Sequence, residues 1–263
     1  MRLLITILLF THSVFAQKAI IKEIREIAPY SKKQYIFPLI SIAGNKHAEN
    51  KINKKLQEEA LNLDTPGYKK SIFEEVWEVP ESDGRWVYTD YSYKIYNTSR
   101  CLCLSISFVG GKHREYQTRT FFFDTFTGEQ VMLEKLLNNK GKKWLVETIT
   151  TGRNRKVRNE LAIVKDSIRK HRHIHNAEME DDDEGALRIF TECLGRTDDI
   201  ADYVFYLHEN RLFIEGSPCN DGWNALRLGG GVNYAFSKHI TAIQPYLSVY
   251  GKQLLQSPFR SNK

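Results

Sequence analysis

The stretch Cys101-Leu102-Cys103-Leu104-Ser105-Ile106-Ser107-Phe108 alternates strictly in polarity. In an extended chain successive side chains point to opposite faces, so Leu102, Leu104, Ile106 and Phe108 share one face, and Cys101, Cys103, Ser105 and Ser107 the other. Residues 72–79, 86–96 and 117–124 carry the same enrichment in Val, Ile, Tyr, Phe, Trp and Thr. The breaks between the four runs are Glu81-Ser82-Asp83-Gly84, Asn97-Thr98-Ser99-Arg100 and Gly110-Gly111, all turn-forming. An antiparallel meander is the expected product, with one helix covering its apolar face.

Working outward, Asp124-Thr125-Phe126-Thr127-Gly128 reads as a turn whose glycine supplies a positive φ, followed by a short strand at Val131, Met132 and Leu133. Upstream, the apolar run 34–42 is interrupted by Pro38, which suits an edge strand or an extended segment. A helix follows, capped by Asn45 and burying Ile52, Leu56 and Ala60, and Thr65-Pro66-Gly67 stops it. Residues 17–34 read as a polar lead-in. Downstream the pattern turns helical, first around Leu136, Leu137, Trp144 and Leu145, then with Val157, Leu161, Val164 and Ile168 on one stripe. The charged block from His171 to Glu184 reads as an exposed loop with a short helix after it. Strands are expected at 203–207 and 211–215, joined through His208-Glu209-Asn210, with another near 225–236 and a helical segment after Ser237. The fold class is therefore α+β: antiparallel sheets with packed helices in two intimately associated lobes. The lobes are expected over 35–134 and 135–250, with 251–263 as a tail.

Residues 1–16 stand apart. Met1-Arg2 is a basic start, Leu3 to Phe10 an apolar run, and Val14-Phe15-Ala16 a cleavage-like end before Gln17, the organisation of a secretory signal peptide. The apolar run is far short of the roughly 20 residues a membrane span needs. An exported product, periplasmic or extracellular, is expected. Removing Arg2 takes the formal charge of the 263-residue chain from +6 to +5, a small, dispersed excess that argues against nucleic acid as a partner. The 41% hydrophobic and 27% charged content excludes disordered and collagen-like classes. In an oxidising compartment the four cysteines can pair in three complete ways. Cys101 and Cys103, two apart on one strand, do not readily bridge, and Cys193 with Cys219 is the better candidate pair.

Several short motifs together resemble a bacterial extracytoplasmic module, the domain of unknown function 3298, usually preceded by the domain of unknown function 4163. They are Phe37-Pro38-Leu39-Ile40, Ile52-Asn53, the strand pair from Tyr93 to Phe108, Gly110-Gly111-Lys112-His113, and Phe121-Phe122-Phe123-Asp124 with Thr127-Gly128-Glu129. Leu133 to Leu137 continues the likeness, which spans roughly residues 35–250. Lys112 departs from the usual Gly-Gly-Ala-His turn, and the acidic and histidine-rich loop has no counterpart in the pattern. The module occurs in lysozyme-sensing anti-sigma factors and beside peptidoglycan deacetylase domains. The resemblance implies a non-catalytic module that recognises a cell-envelope polymer such as peptidoglycan, or a secreted protein such as lysozyme.

Candidate ligand contacts are Asn220, Asp221 and Trp223, which cluster polar groups with one large aromatic on a loop, and His113 beside its Gly-Gly turn. Trp77, Trp86, Tyr88, Tyr91, Tyr93 and Tyr96 could supply a flat platform for sugar rings. His171, His173 and His175 could hold zinc, since neutral imidazoles are zinc ligands and acidic residues follow. That alternative makes the chain a metal-dependent hydrolase of envelope glycan; a structural envelope protein is the other alternative. Neither a His-Glu-x-x-His nor a Gly-x-Ser-x-Gly pattern is present, so the sequence favours binding over catalysis.

Overall fold

The computed structural model describes residues 18–29, 32–61, 71–74, 90–110, 115–171, 177–196, 199–216 and 234–255. It is an α+β fold of three small antiparallel sheets and packed helices.

The polar lead-in is a strand. β1 (Ala19–Ile27) pairs antiparallel with β2 (Gln34–Ile42) along its whole length, from Ala19 opposite Ile42 to Ile27 opposite Gln34. Its apolar residues fall on both parities, leaving Ile20 and Ile27 exposed while Ala19 is buried, so no clean period of two was visible. β2 is an edge strand, as Pro38 requires. α1 (Lys46–Leu61) starts where expected: Asn45 Oδ1 accepts from Ala48 N at 3.2 Å, and Ile52, Leu56 and Ala60 are buried. Asn53 clamps the helix to β2. Its Nδ2 donates to Ile40 O at 2.7 Å while its Oδ1 accepts from Ile40 N at 2.8 Å, so one side chain satisfies both main-chain groups that the edge residue leaves unpaired.

The strand expected over 72–79 does not begin at 72. Ser71 Oγ accepts from Phe73 N at 2.9 Å and Ser71 O from Glu74 N at 3.3 Å, a tight turn that buries Ile72 and Phe73; residues 75–89 lie outside the described residues. The meander itself is present as β3 (Asp90–Thr98), β4 (Cys101–Gly110) and β5 (Glu115–Asp124), in that order across the sheet. Leu102, Leu104 and Ile106 pack with Phe121, Phe123, β2 and α1 in a first core. The opposite face is buried as well: Cys101, Cys103 and Phe122 belong to a second core. One sheet thus serves two cores, which is how the two halves of the chain are held together.

Gln130 forms only an isolated bridge to Phe123, and Leu133 opens the short helix α2 (Leu133–Leu136) instead of continuing a strand. α3 (Asn139–His171) is a single 33-residue helix. The charged block, expected as a loop, lies mostly in the 19-residue α4 (Ala177–Gly195). Glu178 and Glu180 fall in its first turn, where the helix dipole favours negative charge, and its seam Ala186, Phe190 and Cys193 packs on Val157 and Leu161 of α3. Arg153 is 1% exposed and donates to Arg196 O at 2.6 Å, just beyond the end of α4.

The third sheet consists of β6 (Val204–His208), β7 (Arg211–Glu215) and β8 (Ala235–His239). β6 and β7 join through Glu209 and Asn210, both with positive φ (46° and 60°), as a two-residue hairpin turn demands. β8 takes in the last two residues of the strand expected near 225–236 and runs on to His239; residues 217–233, with most of that expectation, lie outside the described residues. α5 (Ile240–Ile243) and α6 (Val249–Leu255) close the second core. Among the described residues no helix is long and apolar enough to cross a membrane.

Candidate functional site

β5 is the outer strand of its sheet, and only its end is covered. Phe122 O accepts from Val131 N at 2.7 Å and Asp124 N donates to Glu129 O at 3.0 Å, so residues 122 and 124 turn their main-chain groups away from β4. Direction alternates along an antiparallel strand, which puts the main-chain groups of Thr120 and Thr118 on the same free side. The chain has by then turned off into α2, and no main-chain partner meets them among the described residues.

A cleft of about 320 Å³ opens along this free edge, between Thr118–Phe122, the segment 130–134 and the segment 200–205. Its floor is apolar. Phe122 lies against Phe205, ring centroids 5.1 Å apart, and Val131, Leu133 and Tyr203 are buried around them, while Met132 and Val204 stay 40% and 47% exposed at the mouth. Among the described residues its rim carries Glu59, Glu134 and Asp202 with one cation, Arg119. Arg119 is already engaged: its guanidinium donates to Glu59 O and lies 5.6 Å from the centroid of Phe108. Glu59 is paired with Lys55 at 2.6 Å. Glu134 makes no ion pair among the described residues. A strand edge with no main-chain partner among the described residues, lying over an apolar floor, can hold an extended main chain, and Glu134 places a carboxylate at its opening.

The turn after β5 is a joint. Asp124 is fully buried, its Oδ1 accepting from Phe126 N at 3.0 Å, and Thr127 Oγ1 accepts from Glu129 N at 3.2 Å. Asn45 Nδ2 donates to Phe126 O at 2.8 Å and Lys51 pairs with Glu129, tying the turn to α1. The Phe-x-Phe-Asp and Thr-Gly residues picked out by family resemblance therefore assemble a packing motif.

Of the residues singled out in the sequence, His113, Asn220, Asp221 and Trp223 lie outside the described residues, as do His173, His175 and Cys219. His171 is the last residue of α3. Among the described residues no group of three or more His, Cys, Asp or Glu could hold a metal ion. Cys193 is in a disulfide, whereas Cys101 and Cys103 are free thiols. Burial, first among the causes, pushes each of these two thiols up to about 12, which withdraws them from nucleophilic chemistry. The aromatic set divides: Tyr91 is in the first core, and Tyr93 Oη donates to Glu23 at 2.6 Å, its phenol raised to about 12 by burial and then by that bond. Tyr96 stacks on Tyr206 at 4.4 Å and Tyr206 on Phe213 at 4.8 Å. Rings that stack on one another have spent the faces a sugar would need. Trp77, Trp86 and Tyr88 lie outside the described residues.

The cleft was not among the sequence candidates, because its residues come from four separate stretches and its central feature is a main-chain edge. No protein-family model matches the chain, and no curated protein matches it. Among solved structures, a member of the domain of unknown function 3298 family from Bacteroides fragilis matches with a TM-score of 0.52 and 13% sequence identity, over 92% of this chain and 98% of that one. The two chains share a fold. The match spans most of both chains.

Proposed function

We propose that the chain is an exported, non-catalytic binding module of the cell envelope, of the domain of unknown function 3298 kind with a 4163-like first lobe. Its ligand in this reading is a secreted protein such as lysozyme, ahead of a polymer such as peptidoglycan. The observation that carries the proposal is the cleft beside β5, where main-chain groups with no partner among the described residues meet an apolar floor; such a surface suits a polypeptide better than a glycan. Immobilised chain is expected to retain lysozyme from solution and to leave sonicated peptidoglycan in the flow-through. Retention of neither by protein with a native circular dichroism spectrum would overturn the reading, and retention of peptidoglycan alone would overturn its choice of ligand.

Export also bears on the cysteines. With Cys101 and Cys103 free and Cys193 disulfide-bonded, Cys219 is the partner we propose for Cys193. Alkylation is expected to label none of the four in native protein at neutral pH. In denatured, unreduced protein it should label Cys101 and Cys103 alone, read by peptide mass; fast native labelling of either would contradict their burial.

A further inference from the structure

We infer that the β5 cleft captures an extended peptide segment bearing lysine or arginine side chains, which adds to the sheet as a further strand. This rests on the reading of the chain as a binding module and names the chemistry of its ligand.

Three observations converge. The first is register: the chain's own 129–131 segment pairs with β5 at residues 122 and 124, then leaves. A strand entering from the other end would continue that pairing onto Thr120 and Thr118, whose outward N–H and C=O groups it would satisfy. The second is the apolar surface below. A strand's side chains alternate, so every second one would turn toward Phe122, Phe205, Met132 and Val204, two of which are substantially exposed while the cleft is empty. The third is charge. The intervening side chains would meet Glu134, which makes no ion pair among the described residues, whereas Arg119, the one basic group on the rim among those residues, is held by the Glu59 carbonyl and the Phe108 ring. Among the described residues an acidic strand would find no unengaged cation there; a basic one finds the Glu134 carboxylate at the opening.

The defences usual for an exposed edge are absent from this stretch. Native sheets protect such edges with proline, a bulge or an outward lysine. Here Thr118, Arg119 and Thr120 pair with β4 in unbroken register, and Arg119 is tied back toward α1.

The test uses the full exported chain and two fluorescein-labelled octapeptides, one alternating Val with Lys and one alternating Val with Glu, followed by anisotropy. The Lys peptide is expected to bind saturably, and the Glu peptide at least about tenfold more weakly, with the difference shrinking as salt rises. Thr120→Pro removes the outward N–H at a position where an edge strand tolerates proline, and is expected to cost at least about tenfold in Lys-peptide affinity with the fold intact. A second variant, Glu134→Lys, leaves the edge whole and is expected to reverse the order of the two peptides. No binding of the Lys peptide, or affinity unchanged within about twofold in both variants, overturns the inference. If the parent retains lysozyme yet ignores the peptide, only this inference falls; if it retains neither lysozyme nor peptidoglycan, the binding-module reading falls with it.

Discussion

Asp124→Ala is expected to lose about 3–4 kcal/mol of folding stability, a shift of more than about 1 M in the urea midpoint. The carboxyl is 0% exposed and serves three groups at once. Phe126 N donates to Oδ1 at 3.0 Å, Arg100 Nε lies 3.5 Å from the same oxygen, and Tyr250 Oη donates to Oδ2 at 3.3 Å. Burial first, and then Asp124 itself, hold the Tyr250 phenol above its usual value, so it stays a donor well into alkaline solution. Truncation strands each partner. The Phe126 N–H loses its acceptor, and Arg100, whose side chain is 26% exposed, loses its counter-charge. The damage crosses the molecule, because Tyr250 sits on α6, whose end also receives Arg100 Nη1 at Gln253 O and Cys101 Sγ at Leu254 O, both at 3.5 Å. Asp124→Asn retains an acceptor for Phe126 N and should cost about half as much. Tyr250→Phe alone should cost about 1 kcal/mol, and in combination with Asp124→Ala the two losses should fall short of additive. A stability within about 1 kcal/mol of the parent for Asp124→Ala would show that the joint is redundant.

What could be read ahead of the structure was whatever one stretch of chain determines by itself. The alternation of Leu102, Leu104 and Ile106 gave the meander and its apolar face, Asn45 gave the start of α1, and His208-Glu209-Asn210 gave the β6–β7 hairpin. Readings failed where a distant segment decides. β1 has apolar residues on both parities and is ordered by its pairing with β2. The acidic block looks like a loop until Ala186, Phe190 and Cys193 are seen packed on α3. The helix expected over the meander accounted for its Leu102 face alone, and the cover over Cys101 and Cys103 comes from the second core. The cleft lies at the far end of this scale, since Glu59, Thr120, Glu134 and Asp202 share no local pattern. A free strand edge is defined by the neighbour it lacks, which no window of sequence records.

Gly128→Ala should be the most destabilising single methyl group that can be added to the described residues of the β5–α2 turn, costing about 3 kcal/mol or more. Two independent effects contribute. Gly128 has φ of +74°, a left-handed conformation that costs an L-residue about 1–2 kcal/mol. The added Cβ would also sit 2.7 Å from Ala48 Cα and 2.8 Å from Ala48 O. Both are backbone atoms of α1, so no side chain can swing aside, and relief requires the helix to move off the turn; overpacking of this kind costs about 1–3 kcal/mol. Such a movement would pull on the contacts made by Asn45 and Lys51 to the same turn. Gly44 is the control. It has the same φ of +74° but nothing within 4 Å of its Cβ position, so Gly44→Ala should show the conformational cost alone, about 1–2 kcal/mol. The difference between the two variants, read from urea midpoints at a common m-value, isolates the helix contact. Equal losses would mean that α1 gives way freely, and the Thr-Gly pair would then matter for its backbone angle alone.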